Sequence, residues 1–263
     1  MLLSTSEITS YVGGYMWPFI RIGAVLMVAP VFGAKNIVSK RIRVSLALAI
    51  TLVVAPLLPT PPAVDPFSSE AFLILLQQLL LGILMGFTLQ VAFSALIVAG
   101  HNISMSMGLG FAQFLDPTNG VSVPVLGQLL TILGTLLFLS LNGHLVVIQV
   151  MVESFRNMPV GPVLMDPQDY KDLAFWGGRM FMGALLIALP ATVTITLINI
   201  AFGIMTRAAP TLNIFSVGFP TTMGAGFLIL IITIPNLLPR FTDILMDAFD
   251  VMQSYGGSAV AGG

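Results

Sequence analysis

Few side chains in this sequence could carry out chemistry. The chain has two histidines, His101 and His144, and no cysteine among its 263 residues. It contains no G-x-S-x-G nucleophile motif, no H-E-x-x-H zinc motif and no phosphate-binding P-loop. We therefore predict no enzyme, no catalytic residue, no cofactor and no metal site. Disulfides and thiol chemistry are excluded by composition.

His144 lies deep in an apolar run, LSLNGHLVVI. Ionisable residues inside a membrane are costly and often functional, so one interpretation makes it a proton-relay group. The other makes it a neutral histidine that is hydrogen-bonded with Asn142 at a helix contact, and we favour this second interpretation.

Two arginines lie in or beside apolar segments. Arg21 falls within FIRIGAVLMVAP, where an arginine costs about 2.5 to 3.5 kcal/mol to insert and needs a partner or water. It is either a transport-site charge or a structural group that caps carbonyls or pairs with a neighbouring subunit, and we favour the structural role. Arg207, beside Pro210 in GIMTRAAPTLNIF, is expected in a loop as a cytoplasmic anchor.

The elements that must position these residues are membrane helices. Hydrophobic residues make up 57% of the chain and charged residues 8%, which is far from the composition of soluble domains. The runs are rich in Leu, Ile, Ala and Met and do not alternate, so they predict helices and not barrel strands. A net charge of -1 leaves no basic surface for nucleic acid. The fold class is therefore an all-α membrane protein.

About six hydrophobic segments are expected. They lie near 11–32, 42–58, 71–99, 123–152, 178–206 and 213–238. Segments 71–99 and 123–152 would be roughly 43 to 45 Å long as helices, against a hydrocarbon core of about 30 Å. They must tilt, bend or project. Pro190, Pro220 and Pro235 are expected to interrupt or kink other segments.

A basic patch between the first two segments sets their orientation. It consists of Lys35, Lys40, Arg41 and Arg43, whereas the next polar break, TPPAVDPFSSE, carries no positive charge. By the positive-inside rule the first loop faces the cytoplasm. The spacing Gly82-x-x-x-Gly86 would allow close helix contact, but in so glycine-rich a membrane protein we give it low weight.

A glycine-rich stretch, MGLGFAQFLDPTNGVSVPVLG at 107–127, separates two long uncharged runs. On the residues alone, an ordinary turn between helices is the simpler interpretation. Its glycines would permit tight turns and rearrangement. Asp116 and Pro117 are predicted to start the next helix as N-cap and first-turn proline.

Four ordered stretches carry a family resemblance over nearly the whole chain. They are RIGAVLMVAPVFG followed by SKRIRVSLALAITLVVAPLLP, then MGLGFAQFLDP, then FLSLNGHLVVIQVMVESFRNMPVG, then RAAPTLNIFSVGFP. Together they resemble the FliR family of the type III secretion export gate. Ser39 departs from the family's usual proline and Thr211 from its usual glutamine.

The resemblance implies a non-enzymatic gate subunit that assembles with FliP-like and FliQ-like chains. Unfolded flagellar proteins would leave the cytoplasm through this gate, and FlhB and FlhA of the export apparatus are further implied partners. Residues 1–177 would be FliP-like, and 178–263 a FliQ-like hairpin and tail. Bent hairpins would stack helically in the inner membrane at the basal body and project towards the periplasm.

The resemblance also implies a plug loop at about 108–122 inside the closed gate. Its implied residues are Gly108, Gly110, Phe111, Phe114, Asp116 and Pro117, with Met105 and Met107 as adaptable apolar fillers before it. Two alternatives stay open: a small proton-coupled transporter that uses Arg21 and His144, and the equivalent subunit of a virulence injectisome.

Overall fold

A computed structural model describes residues 5–33, 38–65, 67–110, 125–162, 167–208 and 218–255. Within these ranges every regular element is helical, as an all-α membrane protein requires. The helices are α1 (Thr5–Val28), α2 (Pro30–Gly33), α3 (Lys40–Val54), α4 (Ser69–Ser106), α5 (Val125–Ser140), α6 (Gly143–Asn157), α7 (Pro167–Ala208) and α8 (Phe219–Ser254), with a 3-10 turn at Ala55–Leu57.

Four of these helices, α1, α4, α7 and α8, are long and apolar enough to cross a membrane. The pair α5 and α6 would make a fifth crossing if together they form one broken span. The prediction of a helical membrane protein is thus confirmed. The longest helix, α7, has 42 residues, so it is about 63 Å long and exceeds the hydrocarbon core twofold.

The predicted bounds of two segments were wrong, whereas the bend expected as one possibility for the overlong segment 123–152 is confirmed. The segment 123–152 is two helices, because Asn142 adopts a left-handed backbone with φ 57° that a right-handed helix cannot contain. The last two segments begin or end far outside 178–206 and 213–238. Hydropathy detected only the apolar parts of these two helices, whereas α7 starts and α8 ends in turns that contain charged residues.

The prolines act differently from one another. Pro190 lies inside α7, and Pro235 and Pro239 lie inside α8. Both helices continue past these prolines. Pro220 does not interrupt a helix as predicted. It is the second residue of α8, where the backbone N–H that proline lacks would have no partner in the helix anyway.

The chain divides into two compact units. The first contains residues 1–91, 142–177 and 245–263, and the second contains 92–141 and 178–244. The predicted division at 177 concerns relatedness to FliP-like and FliQ-like chains, and it stays a prediction.

In the first unit, α1 packs against α3 and against the first half of α4. Gly82 and Gly86 make the second contact close. A methyl group on Gly82 would lie 2.5 Å from the Arg21 carbonyl oxygen, and one on Gly86 would lie 2.9 Å from that of Val25. The Gly82-x-x-x-Gly86 spacing therefore marks a close contact between α1 and α4.

The core of the second unit is built around three phenylalanine rings. Phe93 on α4 packs edge-to-face with Phe138 on α5 and with Phe241 on α8, at centroid distances of 5.8 and 5.2 Å. Both arrangements lie in the range that aromatic pairs prefer. Further along α4, Gly100 lies against the backbone of Gly127 near the start of α5, which leaves no room for a side chain at Gly100.

Candidate functional site

The glycine-rich stretch begins with a helix C-cap. Gly108 has φ 81°, its N–H donates to the Met105 carbonyl at 3.1 Å, and the Leu109 N–H donates to the Ser104 carbonyl at 3.0 Å. These two bonds and the left-handed glycine form a Schellman motif. Gly108 therefore ends α4, and a residue with a side chain would be strained at this position.

The two methionines before this cap have different surroundings. Met107 is fully buried, whereas Met105 is about half exposed and its sulfur lies against Gly110. The remaining predicted plug residues, which are Phe111, Phe114, Asp116 and Pro117, lie outside the described residues. Their assignment to a plug, and Asp116 and Pro117 as a helix start, stay predictions.

Arg21 lies at the centre of a hydrogen-bond network in the first unit. Its side chain is fully buried. The Nε atom donates to Oε1 of Gln78 at 2.7 Å, and Nη1 donates to the carbonyl and hydroxyl oxygens of Ser154 at 2.9 and 3.1 Å. Nη2 donates to the Met158 carbonyl at 2.9 Å. The guanidinium also lies over the Phe155 ring, with Cζ 4.0 Å from its centre.

This arrangement is what a carbonyl-capping arginine requires. All of the acceptors around Arg21 are neutral, and two of them are carbonyls at the C-terminal end of α6, where a cation is favourable. A fully buried guanidinium is closed to a transported solute, so the geometry offers no support for the transporter alternative.

The sequence analysis missed the partner of Arg21 on α4. Gln78 donates from Nε2 to Oε1 of Gln77 at 2.8 Å, and Gln77 also accepts from the Gly161 N–H at 3.4 Å. Both glutamines are buried. Two adjacent amides within the apolar run 71–87 were the available signal, because buried polar side chains need hydrogen-bond partners.

A second missed network centres on Thr88. Its hydroxyl donates to the Leu84 carbonyl, so the Tyr255 hydroxyl, 2.7 Å away, is the donor to Thr88 Oγ1. The indole N–H of Trp176 donates to the Thr88 carbonyl at 3.1 Å. Burial raises the pKa of Tyr255 to about 12, so this phenol stays protonated at neutral pH. Thr88 thereby joins α4, the start of α7 and the end of α8.

The predicted hydrogen bond between His144 and Asn142 is not formed at the imidazole Nδ1. In the described part of the chain that atom is buried without a hydrogen-bond partner. Asn142 instead serves as the left-handed residue between α5 and α6, and its side chain is exposed. Its carbonyl accepts from Leu145 at 2.8 Å.

Most of the basic patch belongs to a helix and not to a loop. Lys40, Arg41 and Arg43 form the first turn of α3, and the Ser39 side chain caps it by accepting from the Ile42 N–H at 3.4 Å. Lys40 and Arg41 are exposed, while Arg43 is buried and donates to the Val38 carbonyl at 2.9 Å. Lys35 lies outside the described residues.

Comparison with known proteins decides the family. The sequence profile described as "Bacterial export proteins, family 1" matches residues 12–248. The flagellar biosynthetic protein FliR of Pectobacterium carotovorum subsp. carotovorum is 38% identical over 248 residues, which are 94% of each chain. That of Escherichia coli (strain K12) is 36% identical over 253 residues, or 96% of each chain. The chain belongs to the FliR family.

Membership makes this FliR-family chain a component of the flagellar export apparatus, which is a multi-subunit assembly. The family is known as a structural part of that apparatus and not as an enzyme. Among the described residues, no three His, Cys, Asp or Glu side chains are grouped to hold a metal ion.

The same structure corrects the expectation for Arg207 of the FliR-family chain. Arg207 is exposed in the last turn of α7 and not in a loop. A cation at this position interacts favourably with the free carbonyls of the helix end. Pro210 lies outside the described residues, so its predicted role remains a prediction.

Proposed function

We propose that this FliR-family chain is a subunit of the flagellar type III export gate. It assembles with FliP-like and FliQ-like chains in the bacterial inner membrane at the flagellar basal body. FlhB and FlhA are further partners, and the closed assembly is the channel through which unfolded flagellar proteins leave the cytoplasm. The flagellar assignment, as opposed to a virulence injectisome, is supported by the names of the relatives.

The observation that carries this proposal is the uncovered apolar surface of α7. Exposed apolar side chains run along it from Phe175, which is 76% exposed, to Ile204 and Met205. Further exposed members are Phe181, Met182, Leu185, Leu186, Leu189, Val193, Leu197 and Ile200.

Within the second unit this exposed apolar surface is longer than the hydrocarbon core is thick. From Phe181 to Met205 the helix rises about 36 Å, against a core of about 30 Å. Soluble monomers rarely expose large apolar patches. Where a protein does expose such a patch, it marks a contact with another protein or with a membrane. Other subunits of the export apparatus are the covering that fits the part of this surface beyond the lipid.

Copurification tests the assembly. A tagged copy of the chain, extracted in mild detergent, should bring FliP-like and FliQ-like chains with it. Leu197→Gln, on the exposed face of α7, should lower their recovery severalfold, because a buried unpaired amide is costly. Lys171→Gln is the control: it introduces the same side chain at an exposed polar position of α7 that precedes the exposed apolar surface. Recovery of the tagged chain alone would overturn the proposal.

Within this gate, the stretch from Gly108 to about Ser122 is the plug. Phe111 and Phe114 are its bulky apolar groups, and a ring of such side chains blocks ions by excluding water from the constriction. The C-cap at Gly108 supports this assignment, because it ends the long helix α4 at the first residue of the proposed plug.

A further inference from the structure

Met107 is seated on a glycine of α8. It is fully buried, and a methyl group on Gly226 would lie 2.5 Å from its Cγ, 2.7 Å from its Cε and 2.8 Å from its Sδ. Real methyl carbons essentially never approach other atoms so closely. The outer part of the Met107 side chain therefore occupies the space that any larger residue at position 226 would need.

A second contact holds the same helix end. The Nδ2 atom of Asn199 on α7 donates to the Ser106 carbonyl at 3.3 Å. Ser106 is the last residue of α4, so its carbonyl has no acceptor role within the helix. Ser106 and Met107 are thus held from α7 and α8 respectively, directly before the left-handed Gly108.

We infer that Gly226 is a positioning residue for the gate: its missing side chain seats Met107, which places the end of α4 from which the glycine-rich stretch departs. The consequence for conduction rests on the proposed plug function. The contact of Met107 with Gly226, which we call the seat, involves only described residues of the second unit. A methyl group at position 226 must shift the Met107 side chain. The atoms that it meets are the outer end of a flexible side chain, so the shift is costly only because Met107 is fully buried and has little space to move into.

Gly226→Ala is the decisive variant, and the chain contains a close control. Gly224 lies two residues earlier on α8, and a methyl group there would meet nothing within 4 Å. Both substitutions change helix propensity equally. Combining Gly226→Ala with Met107→Ala removes the clash and places the new methyl group in the space that the Met107 side chain leaves, so this pair should restore the position of the α4 end in part.

Two measurements distinguish the position of the α4 end from the closure of the gate: maleimide labelling reports the first, and ion conductance reports the second. The chain has no native cysteine, so Leu109→Cys, at a half-buried position just after the cap, reports on the helix end through its rate of maleimide labelling. In the assembled complex Gly226→Ala should raise this rate by on the order of tenfold, while Gly224→Ala leaves it unchanged. Ion conductance of the idle complex in vesicles should rise in parallel, and the double variant should lower both.

The outcomes separate the two proposals. Unchanged labelling in an assembled Gly226→Ala complex would overturn the positioning role, even if substitution of the plug phenylalanines causes a leak. Faster labelling without any leak would uphold the seat and count against the proposed plug. If Gly226→Ala fails to assemble, Met107→Ala, which adds no clash, takes its place; wild-type labelling in that variant would equally overturn the inference.

Discussion

The guanidinium of Arg21 lies over the ring of Phe155, with its Cζ atom 4.0 Å from the ring centre. Phe155 is one residue after Ser154, whose carbonyl and hydroxyl accept from the same guanidinium. Helix α6 therefore offers Arg21 both a ring face and hydrogen-bond acceptors. A desolvated pair of this kind contributes about 2 kcal/mol. Among the residues that the structure describes, these neutral groups, and not a carboxylate, stabilise the buried charge.

Replacement of Arg21 should destabilise the chain even when the charge is kept. A lysine has a compact ammonium and cannot donate to Gln78, Ser154 and Met158 in the planar fork of a guanidinium. We expect Arg21→Lys and Arg21→Met each to cost about 3 kcal/mol or more, because buried acceptors are left without donors. Thermal unfolding of the purified complex measures this. Arg41→Lys and Arg41→Met, at an exposed position, are the controls; a wild-type melting temperature for Arg21→Lys would contradict the network.

The bond between Thr88 and Tyr255 should contribute modestly and cooperatively. Tyr255→Phe and Thr88→Val each remove one partner and should cost about 1 to 2 kcal/mol, while the double variant should cost less than their sum. A double-mutant cycle of unfolding free energies tests this. Additive costs would show that the two residues are not coupled.

The contribution of this hydrogen bond to stability should depend on pH, and the direction of the change follows from the pKa of Tyr255. Burial raises the pKa of Tyr255 to about 12, above its ordinary value of 10.0, so the folded state holds its proton more tightly. Its stabilising effect should be fully present below about pH 10 and be lost as the pH rises towards 12. The free energy of unfolding should be measured for wild type and Tyr255→Phe across this pH range. The difference between the two proteins should become smaller as the pH rises, and a constant difference would contradict the prediction.

The contact of α1 with α4 should be intolerant of any side chain on α4. Gly82→Ala and Gly86→Ala place a methyl group against backbone atoms of α1, which cannot rotate away, so we expect a loss of about 2 kcal/mol or more, or failed assembly. Gly203→Ala, where a methyl group meets nothing within 4 Å, should be neutral or slightly stabilising. Assembly yield and thermal stability report the outcome, and equal behaviour of all three variants would argue against the close contact.

The proposed plug predicts a leak. Phe111→Gly with Phe114→Gly, or deletion of residues 110–115, should leave the complex assembled but raise its idle ion conductance, since a hydrophobic constriction that loses two rings becomes wider and wetter. Conductance across membranes carrying the purified complex measures this, with copurification as the check on assembly. Normal assembly without additional conductance would return the stretch to a simple connector.

The basic patch predicts the orientation of the first hairpin. Single cysteines at Asn36 and at Ala63 should label from opposite sides of the membrane, the first from the cytoplasm, because positive residues are retained there. Native cysteines do not interfere, since the sequence has none. Labelling of both from the periplasm would overturn this topology and favour a gate displaced from the bilayer.

The sequence by itself determined the class of protein and the family. Uncharged runs far longer than a soluble helix needs can only satisfy their backbone in lipid as helices, so α1, α4, α7 and α8 were foreseeable. The helix boundaries were less predictable from the sequence, because hydropathy does not detect the polar turns at helix ends. Helix α8 continues to Ser254 with Asp243, Asp247 and Asp250 exposed and Leu245, Phe249 and Met252 buried, an amphipathic pattern of period 3.6.

Only the tertiary structure decided which residues meet. Gln78 and Ser154 lie 57 and 133 residues from Arg21 along the chain, and Tyr255 lies 167 from Thr88. A single sequence shows that a buried arginine needs acceptors but not which ones, because many polar groups in these helices satisfy the same requirement. The contact of Met107 with Gly226 could not be predicted for a related reason. Gly226 acts through the space that its missing side chain leaves, and that space exists only once α4 and α8 are packed together.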